Sequence, residues 1–189
     1  VSYLDENANE IDAAEKILRE IKPKGMIFLG GSVANFQNGF SNISVPSVLA
    51  TLVSDELHFP NLSMVGVDDR AAAYTAVDYL IRQGHRKIAV LGGPVTSYPS
   101  LMRRKGAQQA MEDAGILFND KLYGLSNYDF ESAYHAMNSL LARRAEFTAL
   151  FAMSDVIAFG AIRALVSAGL RVPEDVSVIG FDGITMSRY

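Results

Sequence analysis

Five times along this chain a segment with apolar residues at helical spacing gives way to a short apolar run, and that alternation limits the fold more than any other feature. Ile11, Ala14, Leu18 and Ile21 share one helical face, Pro23 closes the helix, and GMIFLG (25–30) follows as a run suited to a buried strand. Tyr74, Val77 and Ile81 repeat the pattern, with Gly84 placed to end the helix before KIAVLGG (87–93). Residues 101–114, 131–141 and 155–168 read as three further helices. Gly115 ends the first, TALFA (148–152) follows the second, and Gly169 with VSVIGF (176–181) follows the third. The near-continuous apolar character of VSVIGF predicts burial on both faces, as in a parallel sheet covered by helices. Alternation of this kind implies a doubly wound α/β fold. Three polar stretches, GGSVANFQNGFSN (30–42), residues 54–61 and GGPVTSYPS (92–100), carry no usable period and read as loops. In open α/β sheets such loops form the rims of ligand sites.

The 189 residues carry a formal charge of −4, which argues against a surface built to neutralise phosphates, so this stretch alone is not expected to hold DNA. With no cysteine, thiolate metal sites, disulfides and Cys nucleophiles are excluded together, and a cytoplasmic home is the default. No apolar run approaches the roughly 18 residues that cross a bilayer, and VSYLDENANE lacks the features of a signal peptide.

Catalytic and cofactor signatures are missing as well. Neither GxxxxGK[ST] nor GxGxxG occurs, and GGSVA (30–34) has Ala34 where a nucleophile elbow needs glycine. His58, His85 and His135 lie in separate elements without metal-ligand spacing. Asp68 and Asp69 are adjacent and point apart as a strand ends, so Asp69 reads as a cap for the next helix and not as half of an acid–base pair. Neither a cofactor nor a metal is expected, nor is an enzyme. The basic clusters Arg103-Arg104-Lys105 and Arg143-Arg144 fan around their helices and mostly meet solvent. Arg103 is the exception, because it follows the 92–100 loop closely enough to reach a cleft.

The segments GHRKIAVLGGP (84–94), RRKG (103–106), FAMSDVIAFGAIRAL (151–165) and GLRVPEDVSVIGFD (169–182) together resemble the LacI/GalR family of bacterial transcription regulators. The likeness extends more weakly over the N-terminal part, from VSYLDEN through KPKGMIFLGG to the VPSV strand. It implies a two-lobed periplasmic-binding-protein-like fold of doubly wound parallel sheets with helices on both faces. Residues 1–66 would belong to an incomplete N-terminal lobe and 67–189 to the C-terminal lobe.

The resemblance also nominates effector contacts. Arg103, in the RxxG position, is a fixed planar cation with five donors, suited to bidentate bonds with hydroxyls or a carboxylate. Asp182, at the end of GFD, would accept hydrogen bonds from vicinal hydroxyls or a base edge, or else cap a helix or brace its loop. Phe130 would stack on a flat ligand face, with a place in the core as the alternative. Ser154 and Asp155 match a usual Asn-Asp pair, although Ser154 also suits the N-cap of the following helix. Departures from the pattern are Ser154 itself, Gly183 where Asp or Asn is frequent, and an apparently shortened segment after Phe130.

Such a domain implies an effector-sensing part of a repressor. A small molecule, best a sugar, closes an interlobe cleft and alters operator affinity through a helix-turn-helix that this stretch does not contain. The helix 155–168 and residues 186–189 match the family's dimer face, so a homodimer is expected. The alternative is the solute-binding protein of a sugar transporter, which shares the fold and the GFDG ending.

Overall fold

The computed structural model describes residues 1–4 and 8–188. Residues 5–7 of the VSYLDEN match and Tyr189 of the expected dimer tail lie outside them. The chain divides into two compact units, one spanning Val1–Asp68 and the other beginning at Asp69.

The first unit is a three-stranded parallel sheet in the order β1 (Met26–Leu29), β2 (Ser47–Ala50), β3 (Leu62–Val65), with Met26 beside Ser47 and Ser47 beside Leu62. Helix α1 (Glu10–Ile21) begins at Asn9, whose side chain accepts from the Ile11 and Asp12 N–H groups, and stops at Lys22 in a left-handed conformation just before Pro23. A second helix, α2 (Val33–Gly39), occupies the stretch read as a loop. That reading fails because Val33, Phe36 and Phe40 do keep helical spacing, while Asn, Gln and Gly between them mask it. The helix is anchored at its start by the Glu10 carboxylate, which accepts from the Ser32 N–H at 2.5 Å and Asn35 Nδ2 at 2.8 Å.

Phe28, Phe36, Phe40 and Phe59 form a chain of ring contacts 5.0–6.2 Å apart, with Phe36 carried by α2 itself. Alternation along a strand sends neighbours to opposite faces. Phe28 is therefore buried in β1 while Ile27 and Leu29 are exposed, so the run read as suited to a buried strand is covered on one face.

The second unit carries a four-stranded parallel sheet in the order β5 (Tyr123–Leu125), β4 (Ile88–Gly92), β6 (Ala149–Ala152), β7 (Ser177–Ile179). The central strands β4 and β6 are buried at every residue, which requires cover on both faces. That cover comes from α3 (Asp69–Arg82) packed on α4 (Tyr98–Asp113), and α5 (Phe130–Ala142) packed on α6 (Asp155–Ser167). Glycines set both helix pairs. A Cβ on Gly106 of α4 would overlap the Arg70 carbonyl of α3, and one on Gly160 of α6 would overlap the Phe130 carbonyl of α5.

Two expectations are corrected in this unit. VSVIGF contributes only Ser177–Ile179 to the sheet, half-buried, because β7 is its edge strand. Helix α4 starts at Tyr98 and not at residue 101, since the Ser97 hydroxyl accepts from the Ser100 N–H and Pro99 tolerates the first turn. Arg103 consequently stands in the second turn.

Candidate functional site

The strands of the second unit all point the same way, so their C-terminal ends gather the loops after β4, β5, β6 and β7 at one edge of the sheet. Arg103 is the hub there. Because Gly106 lets α4 approach α3, Arg103 reaches the start of α3 and donates from Nε to Asp69 Oδ1 at 2.7 Å. Its Nη1 donates to the Met153 carbonyl just after β6, and its guanidinium carbon lies 3.7 Å from the centroid of the Phe181 ring. Both members of the Asp69 pair are shielded, with side chains 9% and 13% exposed. Asp69 is thus the first residue of α3 and the partner of Arg103, a role the capping reading missed. A lone sequence offers no signal that residues 34 apart will pair.

Asp182 follows at 3.8 Å from Nη1, an ion pair too long for a hydrogen bond, and stays half-exposed. Its backbone φ of +104° is unusual for a residue with a side chain, and strained positions of this kind cluster at ligand sites. Burial pushes its carboxyl above the usual range. Arg103 and the Asp155 N–H pull it down, while the charges of Asp155 and Asp69 add to the rise.

Asp155 is buried, and its Oδ2 accepts from the Ile184 N–H at 2.8 Å, tying the turn after Asp182 to α6. A Cβ on Gly180 would collide with the other carboxylate oxygen, so glycine there lets the strand end lie over Asp155. Ser154 is buried and caps α6, accepting from the Ile157 N–H at 3.1 Å. Arg103, Asp182, Asp155 and Ser154 are therefore brought into one neighbourhood.

Phe130 opens α5 behind the Asp129 cap and is 41% exposed. Two residues earlier, Tyr128 has a φ of +60° and lays its ring against Gly93, where any Cβ would overlap it. Among the described residues its buried hydroxyl has no hydrogen-bond partner. Sequence reasoning passed Tyr128 over, since an aromatic in a polar loop looks the same whether it faces solvent or a site.

The other basic residues serve the surface. Arg104 lies over the Tyr123 ring at 4.4 Å and pairs with Asp120, and Arg143 donates to the Lys121 and Tyr123 carbonyls. Among the described residues no group of His, Cys, Asp or Glu is arranged to hold a metal ion, and no helix is long and apolar enough to cross a membrane.

A parallel sheet whose carboxyl-end loops converge on a braced Arg–Asp pair, a stacked ring and a half-exposed carboxylate is the candidate site of an α/β domain, and residues 77–189 match the family described as a periplasmic binding protein-like domain. A transcriptional regulator named MalR from Clostridium butyricum is 35% identical over 95% of this chain and 54% of its own length. The repressor named CytR of Escherichia coli K12 is 37% identical over 76% of this chain and 41% of its own. Among solved structures, a sugar-binding LacI-family regulator from E. coli, in complex with phosphate, superposes with a TM-score of 0.85 at 32% identity, over 96% of this chain and 65% of that one. The chain belongs to the periplasmic binding protein-like family, among the effector-binding domains of LacI-type transcriptional regulators. It spans about half the length of the curated relatives it matches.

Proposed function

We propose that this chain is the effector-sensing part of a LacI-type repressor, acting in the cytoplasm, that binds a sugar and passes the binding on as a change in operator affinity. The observation that carries the reading is Arg103, held over Phe181 by Asp69 and the Met153 carbonyl, with the half-exposed Asp182 carboxylate beside it. Arginine, carboxylate and aromatic surface together suit a polyhydroxylated ring, whose hydroxyls meet charged partners while its apolar face meets a side-chain ring. Arg103 and Asp182 are its polar contacts, Ser154 and Asp155 set the loop and helix that carry them, and Phe130 or Tyr128 supplies the stacking surface. In this reading residues 1–66 belong to one lobe and 67–189 to the other, and effector binding shifts the equilibrium between two states of the domain. Coupling to DNA is then a population shift, of about 1–3 kcal/mol in typical cases, and runs through a DNA-binding part of the same regulator.

A thermal-shift screen of the full-length protein against sugars, sugar phosphates, polyols and nucleosides tests this. A ligand at 100 times its dissociation constant adds about 2.7 kcal/mol of stability. Arg103→Ala and Asp182→Ala should each abolish the shift of the best ligand. Retention of the full shift in both variants would remove the site from the proposal.

A further inference from the structure

We infer that Tyr128 is a gate on the ligand site: its ring fills the space over Gly93 that a ligand ring takes, and it has to swing out before the ligand can lie there. The inference rests on the effector reading above, and it leaves the stacking surface of the bound state to Phe130.

Strand β4 runs out in two glycines, Gly92 and Gly93, and a tyrosine covers each of them: the Tyr123 hydroxyl lies over Gly92 and the Tyr128 ring over Gly93. The two tyrosines are held differently. Tyr123 belongs to β5 and carries the Arg104 guanidinium 4.4 Å from its ring centroid. Tyr128 stands in the loop between β5 and α5, and among the described residues its buried hydroxyl has no hydrogen-bond partner. Its φ of +60° lies in the left-handed region, where a Cβ is disfavoured and a bulky side chain is an outlier.

The residues on either side of Tyr128 are bonded independently of it. Ser126 donates to the Gly92 carbonyl from its N–H at 2.8 Å and from its hydroxyl at 2.9 Å. The Asn127 N–H donates to Ser132 Oγ at 2.9 Å, and Asp129 Oδ1 accepts from the Ser132 N–H at 2.8 Å. The loop is thus pinned before and after one residue, and the Tyr128 side chain can turn while those bonds stay. Packing against the core of the second unit holds the ring in. Against that packing stand a left-handed backbone and a hydroxyl cut off from water, two costs that make the closed state a narrowly favoured one. Opening returns the hydroxyl to water and bares a stretch of backbone without Cβ, which a ligand ring can approach closely. Ligand binding then draws on the open fraction alone, and apparent affinity is reduced by that fraction.

Two measurements on the full-length protein test the gate. N-acetylimidazole acetylates accessible tyrosine hydroxyls, and peptide mass mapping reads each site separately. Gly93→Ala, at a position whose backbone is not left-handed, puts a methyl in the seat of the ring and should speed acetylation of Tyr128 at least roughly tenfold. Unchanged protection of Tyr128 in that variant would overturn the inference without touching the effector reading. Calorimetric titration with glucose, galactose, ribose and adenosine then compares the unmodified protein with Tyr128→Gly and Tyr128→Asn, two residues at ease in left-handed backbone. Each variant should bind the best probe roughly tenfold more tightly, the factor lost to a gate closed about nine-tenths of the time. Equal or weaker binding by either folded variant would make Tyr128 a ligand contact or a bystander, sinking the gate and leaving the effector reading standing. Absence of binding by every probe, to the unmodified protein and both variants alike, would overturn the effector reading and the inference with it.

Discussion

Arg103 is the residue whose surroundings organise the rest, and the sequence marked it through its RxxG setting and its place after a loop. Asp69, which holds it, was assigned to a helix cap, because side-chain pairing between α3 and α4 depends on how closely the two helices pack. Asp182 was legible from its position at the end of a strand, but its backbone strain and its half-buried setting were not. They carry a pH consequence. Because burial raises the Asp182 carboxyl above its ordinary value, it takes up a proton at a higher pH than a free aspartate. A ligand that donates to the ionised carboxylate should therefore lose affinity as pH falls through that raised value. Folding has the opposite sign: a raised native value favours the native state at low pH, and that contribution is lost as pH rises through it. Titrating affinity against pH checks the binding part, and Asp182→Asn should flatten the profile in the acid range. A profile unchanged by that substitution would assign the titration to another group.

At the scale of elements, helix spacing with buried strands between was read correctly for α1, α3, α5 and α6, where apolar periodicity is strong. It failed for α2, whose polar and glycine residues hide a helix that Glu10 and the Ser32 cap hold in place. The α3–α4 crossing is the element that positions the site, and Gly106 is its tightest point. Gly106→Ala should push α4 away from the Arg70 carbonyl and lift Arg103 from Asp69 and Phe181. Overpacking at such a crossing costs about 1–3 kcal/mol, measurable by denaturant unfolding, and ligand affinity should fall with it. Gly84→Ala is the contrast, since open space surrounds that glycine. It should strain its own left-handed turn while leaving affinity unchanged.

For the whole molecule, α6 and the turn Thr185–Arg188 carry the expected dimer face, with Val166 and Met186 exposed. The full-length protein should run as a homodimer in light scattering, and Val166→Glu with Met186→Glu should shift it to monomer. A monomeric unmodified protein would count against the shared face. Sequence alone determined the α/β alternation, the family and four of the five nominated site residues as neighbours, because periodicity, glycine stops and long motifs are local properties of the chain. Only the tertiary structure decided that α2 is a helix, that β1 and β7 are half-covered edge strands, and that Tyr128 lies against Gly93. It alone turned Asp69 inward to Arg103, since sheet order, helix crossings and charge neutralisation depend on residues distant in sequence meeting in space.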